Sequence, residues 1–241
     1  MHRPLHHALG DGHPGTNPTS GSAPATLPST GPATGPTPGP ATGPATGPAT
    51  NQDPRTTPGW ARITFLDPAA FRARVPELIS VYVAAMQYPA DVVGARGVLW
   101  EEHSLRAGFA CVVALDADDR IRGLTYGYRG LPGQWWYSEV RRGLGSQAAE
   151  QLSDFFELTE LHVRPDSQGR GLGESLLRTL ADNRPEQRML LSTPEGENRA
   201  WRLYRRLGFT DVLRDYRFSG DPRAFGILGR DLPLDPPTVS G

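Results

Sequence analysis

The run Gln168-Gly169-Arg170-Gly171-Leu172-Gly173 lies between an apolar stretch, Phe155 to Val163, and a stretch of helical periodicity from Glu174 to Asp182. A turn this rich in glycine lets bare backbone come close to a ligand, and the helix it opens leaves its first N–H groups unpaired. Phosphate oxygens satisfy such donors and sit at the positive end of the helix dipole. The run therefore reads as a pyrophosphate cradle, with Gln168, Gly169, Arg170, Gly171, Leu172 and Gly173 as its contacting residues. The apolar stretch before it reads as a strand buried on both faces, which places the turn in an α/β sheet.

Spacing narrows the ligand. The dinucleotide fingerprint G-x-G-x-x-G needs glycine at position 174, where Glu174 stands, and a P-loop needs G-x-x-x-x-G-K-[ST]. The chain has no lysine, so the P-loop's point charge is missing too. What remains is Q-x-x-G-x-G after a strand closing on Val163-Arg164-Pro165. A second motif follows, N-x-A-x-x-L-Y-x-x-x-G-F, carried by Asn198, Ala200, Leu203, Tyr204, Gly208 and Phe209. Together these resemble the acetyl-CoA loop and the later helix of the GNAT superfamily of N-acetyltransferases. The family spaces its asparagine and alanine by two residues and this chain by one. The likeness is specific over Phe155 to Phe209 and only architectural from about Trp60 to Asp154.

The resemblance implies a GNAT-like mixed central sheet of about six to seven strands flanked by helices. It implies acetyl-CoA as co-substrate and direct transfer of acetyl to a primary amine, with no covalent enzyme intermediate. A bulge and splay of the central strand would expose backbone N–H groups of Leu161, His162 and Val163 to polarise the thioester carbonyl, and Tyr204 would protonate the departing thiolate. Asn198 would meet the pantetheine amides, although asparagine at a helix start is also an ordinary N-cap. The acceptor pocket would lie between the first two helices and the segment after the third strand, with Trp100, Trp135 and Trp136 as candidate walls; packing is the tryptophans' competing role. Two other readings stay open: a non-catalytic acyl-CoA sensor, and a transferase using another acyl-CoA donor.

Acetyl transfer needs donors for a tetrahedral oxyanion, a deprotonated amine and a proton for the leaving thiolate. Glu160 is hard to explain as packing, because Phe156, Leu158 and Leu161 around it are apolar. Burial is expected to raise its pKa and suit it as the base, the structural alternative being a buried pair with an arginine. His162 shares its face and is the second base candidate. Glu157 is expected to alternate to the opposite face. Arg170 and Arg164 are candidate phosphate contacts, and Glu101, Glu102 and His103 could draw a cationic acceptor.

Of the 241 residues, 1–58 are dominated by proline and glycine, with Gly-Pro-Ala-Thr recurring from Gly31 to Thr50. Such a segment cannot offset an ordering cost of about 1–2 kcal/mol per residue, so a disordered tail is expected. His2, His6, His7 and His13 in it suggest a metal tract less than a solvated tail, so no metal is expected. Residues 59–237 form one domain of ordinary size, followed by a short tail, 238–241. A net charge of −1, with arginine supplying all 25 Lys-plus-Arg cations, argues against nucleic acid as partner. No apolar stretch of about 20 residues is present to span a membrane. Cys111 is the single cysteine and excludes an intramolecular disulfide. A cytoplasmic protein is the default expectation, and an exposed strand near the C-terminus offers a route to a homodimer.

Periodicity predicts a strand over Trp60 to Phe65, then Asp67 as N-cap, Pro68 at the first helical position and one helix to Gln87. A second helix is expected over residues 90–107 with Leu99, Trp100 and Leu105 inward. Ala110 to Leu115 and Ile121 to Arg129 read as a hairpin about residues 116–119. Residues 131–154 are less regular, and short helices are expected there. After the strand Phe155 to Val163 and the glycine turn come a helix striped with Leu172, Leu176, Leu177 and Leu180, a strand over Arg188 to Ser192, a helix over Asn198 to Leu207, and strands over Phe209 to Phe218 and Phe225 to Leu228.

Overall fold

A computed structural model describes residues 60–87, 93–182, 184–196 and 198–236. The expected tails, 1–58 and 238–241, lie outside the described residues. The strands β1 (Arg62–Leu66), β2 (Ala110–Leu115), β3 (Ile121–Arg129), β4 (Phe155–Val163), β5 (Arg188–Pro194), β6 (Thr210–Tyr216) and β7 (Phe225–Asp231) form one mixed sheet in the order β1-β2-β3-β4-β5-β7-β6. The helices are α1 (Pro68–Ala73), α2 (Val75–Met86), α3 (Val93–His103), α4 (Trp135–Leu144), α5 (Ala148–Gln151), α6 (Leu172–Ala181) and α7 (Arg199–Arg206).

Two departures from the periodicity have local causes. The helix expected to reach Gln87 unbroken is two helices, because Pro76 has no N–H for the Arg72 carbonyl and its ring crowds that group. Asp67 does cap α1, accepting from the Ala70 N–H at 2.8 Å. The helix expected over 90–107 stops at His103: the N–H groups of Leu105 and Arg106 bond back only three residues, and Gly108 turns the chain at φ 69°. Leu105, expected to face inward, is 74% exposed in consequence. Between β3 and β4 the chain forms a full helix, α4, whose Trp136, Val140 and Leu144 bury one stripe against Phe155, Leu190 and Ile227.

The sheet carries helices on both faces. On one, the α6 leucines 172, 176, 177 and 180 pack with Trp201, Tyr204 and Leu207 against Phe156, Leu158, Met189 and Leu191. Each such leucine contributes about 1.5–3 kcal/mol of burial. On the other face, Phe71, Leu78, Ile79, Tyr82 and Trp100 of α1 to α3 cover Cys111, Val113, Leu124 and Tyr126.

β4 decides where a ligand can enter. It pairs with β3 along its length, but with β5 only through Phe155, Phe156 and Glu157, after which β5 continues with β7 alone. The sheet therefore splays beyond Glu157. In the β3 register Tyr126 faces Glu160 and Gly127 faces Leu158, so Thr159 is an extra, bulged residue. Glycine is needed opposite it, since a Cβ at Gly127 would lie 2.1 Å from the Glu157 carbonyl oxygen. The bulge also resets the alternation. Phe156, Leu158, Leu161 and Val163 stay on the α6–α7 face, and Glu157, expected opposite Glu160, joins Glu160 and His162 on the α2–α3 face.

Candidate active site

Gly169 and Gly171 adopt φ of 79° and 81°, and a Cβ at either would meet no atom within 4 Å. Glycine is required there by the left-handed backbone, and the space above the turn is open. The first helical bond of α6 runs from the Ser175 N–H to the Gly171 carbonyl at 3.0 Å, so the N–H groups of Leu172, Gly173 and Glu174 have no partner within the helix. This donor set suits the diphosphate of coenzyme A. Glu174 would repel that anion, but Arg178 and Arg206 bond its carboxylate, each at 2.9 Å. Burial pushes this carboxyl up, and the two arginines outweigh it and hold it below the usual range.

A cleft of about 520 Å³ runs along the turn. Leu161, His162 and Val163 form its floor, Gln168, Gly169 and Gly171 to Glu174 one wall, and Arg199, Arg202, Leu203, Tyr204 and Arg206 the other, with Ala85 and Met86 of α2 at its edge. The three α7 arginines were missed in the sequence, where their spacing of three and four residues marks one helical face. Gln168 braces the cleft: its amide donates to the Val163 carbonyl at 2.9 Å and accepts from Arg199 at 2.6 Å.

The splay exposes backbone donors by parity. The Arg164 N–H donates to the Arg122 carbonyl on β3, so the Leu124–His162 pair is likewise turned toward β3, and Leu161 and Val163 present their N–H groups to the side β5 has left. The His162 N–H faces β3 instead.

On the α2–α3 face Glu160 and His162 form a close pair, Glu160 Oε2 to His162 Nε2 at 2.5 Å, each side chain little exposed. Arg96 Nη1 of α3 lies 3.8 Å from Glu160 Oε1. Burial alone would raise the Glu160 carboxyl, as expected from sequence. The hydrogen bond and charge of His162 and the charges of Arg96 and His103 overcome it and hold the group below its ordinary value. Tyr204, 7% exposed, looks into the cleft; burial and the nearby Glu160 charge push its phenol well up, so it keeps its proton.

The remaining predicted residues lie apart from this cleft. Asn198 caps α7, its Oδ1 accepting from the Trp201 N–H at 3.1 Å. Trp100 is fully buried, with its ring against Phe71, Tyr82 and Tyr126. Trp135 and Trp136 pack on Phe218 and Phe155 under α4. Arg170 projects from the turn, and His103 is buried with Nδ1 3.0 Å from the Tyr126 hydroxyl. Glu157 is buried too: Tyr128 donates to its Oε1 at 3.1 Å, and burial pushes its carboxyl up to about 7.

A mixed sheet splayed at its centre, with an open glycine turn at the mouth of the splay, suits an acyl-CoA-dependent transferase. A family model described as an acetyltransferase (GNAT) domain matches residues 98–211. The GCN5-like protein acetyltransferase Rv2170 of Mycobacterium tuberculosis is 45% identical over 199 residues, covering 70% of this chain and 97% of that protein. Among solved structures, a ribosomal-protein-alanine N-acetyltransferase from Brucella melitensis shares the fold (TM-score 0.51, 19% identity, 71% of this chain and 100% of the other). So does a GNAT-family protein from Desulfovibrio desulfuricans (TM-score 0.51, 16% identity, 70% and 99%). The chain belongs to the GNAT family: it is an acetyl-CoA-dependent N-acetyltransferase.

Proposed function

We propose that the chain moves acetyl from acetyl-CoA to a primary amine presented by a protein, a lysine side chain or a terminal amine, and that it does so in the cytoplasm. The printed name of the Mycobacterium tuberculosis relative, a protein acetyltransferase, supports this acceptor class. The observation that carries the chemistry is the Glu160–His162 pair on the strand whose Leu161 and Val163 N–H groups open into the splay.

In this reading His162 takes a proton from the ammonium, directly or through water, and the Glu160 carboxylate stabilises the imidazolium that forms. A carboxylate held below its ordinary value is a weak base alone but a strong partner for a histidine. The amine nitrogen attacks the thioester carbonyl, and a C–N bond forms as the carbonyl oxygen gains charge. The Leu161 and Val163 N–H groups meet that charge without reorganising. The C–S bond then breaks, Tyr204 gives its proton to the sulfur, and the proton still carried by the attacking nitrogen passes through water to restore the phenol. The turn from Gln168 to Gly173 holds the diphosphate, with Arg199, Arg202 and Arg206 adding charge from α7. No enzyme acyl group intervenes, and Cys111, fully buried with its thiol pushed up by burial, is unsuited to carry one.

Glu160→Gln, His162→Gln and Tyr204→Phe are each expected to lower kcat by about 10²–10⁴ with acetyl-CoA affinity retained. Thiol release is measured with lysine-bearing proteins, free lysine and polyamines as acceptors. Full turnover in all three variants would sink the assignments. Tight binding of acetyl-CoA with no acceptor-dependent release would favour a sensor.

A further inference from the structure

Arg96 and Tyr82 close a four-membered ring of side chains with the Glu160–His162 pair, and the chemistry above requires neither of them. Arg96 of α3 donates from Nη2 to the Tyr82 hydroxyl of α2 at 2.5 Å, and its guanidinium carbon lies 4.7 Å from the centroid of the same aromatic ring. Tyr82 meets the His162 ring edge to face, centroids 5.0 Å apart. His162 bonds Glu160, and Glu160 faces Arg96 across 3.8 Å. Two helices, α2 and α3, thus meet on two neighbouring side chains of β4.

We propose that Arg96 is a positioning residue whose fixed cation sets the pH at which the Glu160–His162 pair becomes free to accept a proton. The inference concerns the pair's protonation and rests on the reading that this pair is the base only where it touches turnover. A positive charge this close to a coupled pair opposes any proton the pair takes up, whichever of the two atoms receives it. It also acts on the acceptor, since an ammonium brought to Glu160 meets a like charge and gives up its proton more readily. Arg96 itself stays charged: burial works against the cation, and the Glu160 charge and the Tyr82 contact outweigh it.

The other groups facing the pair cannot substitute for it. They are Tyr82 of α2, His103 of α3, Tyr126 of β3 and Tyr204 of α7. Burial pushes the Tyr126 and Tyr204 phenols up, so both keep their protons and carry no charge. His103, its Nδ1 3.0 Å from the Tyr126 hydroxyl, also lowers the Glu160 carboxyl, but by less than Arg96 does. Arginine alone combines a permanent charge with a flat face for the tyrosine ring and a fork of donors.

The test is a proton titration of the full chain. Histidine ring resonances are followed by NMR against pH in wild type, Arg96→Gln and Arg96→Lys, and His162→Gln identifies the His162 signal. Arg96→Gln is expected to raise the midpoint of the pair by about 1 unit, and Arg96→Lys, which keeps the charge, to return it toward wild type. Calorimetric binding of acetyl-CoA checks that each variant is folded. If Arg96→Gln does not fold, Arg96→Met, which keeps the stem over the Tyr82 ring, reads the same shift. A midpoint unmoved on loss of the charge, or moved equally by lysine, overturns the proposal. The acid limb of kcat/KM with a lysine-bearing protein is then compared. If the NMR midpoint moves and the limb does not, Arg96 acts on the pair as stated, and the pair is not the base.

Discussion

Glu157 and Glu160 stand three positions apart on one strand and on one face, yet their carboxyls are driven in opposite directions. Glu160 has His162 and Arg96 beside it. Glu157 has a tyrosine hydroxyl on Oε1 and no hydrogen-bond partner on Oε2. A carboxyl pushed up to about 7 keeps its proton in the folded chain over a range where the unfolded chain, near 4.5, has lost it. The folded state then binds more protons between these values, so this group's contribution to stability falls as pH rises from 4.5 to 7. Glu157→Gln removes that dependence. In urea titrations its stability relative to wild type is expected to improve by about 2–3 kcal/mol from pH 5 to pH 8. An equal difference at both pH values would mean that Glu157 is ionised throughout. For Glu160 the sign is reversed: its lowered value gives stability that is present above the ordinary carboxyl range and is lost on acidification through the lowered value.

The start of α6 joins two requirements, an unpaired set of N–H groups and a backbone that only glycine takes without strain. Gly171 is the N-cap of this helix at φ 81°, and no side chain caps it. An added Cβ meets no neighbour but costs about 1–2 kcal/mol in this backbone region. The turn can relieve that strain by rotating its N–H groups off the ligand. Gly171→Ala is therefore expected to weaken acetyl-CoA binding by about tenfold in calorimetry, while the unfolding midpoint without ligand changes little. An unchanged affinity would show that the turn does not hold the diphosphate. The leucine stripe of this helix, the glycine turn and the α7 motif were all legible in the sequence because each is set by near neighbours. The break at Pro76 was not read, because the strong helical periodicity on either side hid it.

Across the whole molecule, the sheet, its three apolar clusters and the cleft all lie within residues 60–236. A fragment of those residues is expected to match the full chain in acetyl-CoA affinity and in kcat with the same acceptor, as measured by calorimetry and thiol release. A fragment that folds but loses turnover would assign the N-terminal segment a part in acceptor recruitment. Among the described residues no helix is long and apolar enough to cross a membrane. At the sheet's edge, β6 carries Asp211, Arg214 and Asp215 and two register shifts, features that discourage pairing with a further strand.

The amino-acid order by itself determined the family, the strand that leads into the glycine turn, and the catalytic candidates Glu160, His162 and Tyr204, since motifs and periodicity are properties of residues close along the chain. Only the tertiary structure decided that Thr159 bulges and brings Glu157 onto the face of Glu160, that His162 and, from a distant helix, Arg96 lower the carboxyl that burial alone would raise, and that the tryptophans of α3 and α4 pack away from the cleft. Each of these depends on which elements meet across the sheet, and a side chain's charge and exposure are set by such neighbours, not by its place in the sequence.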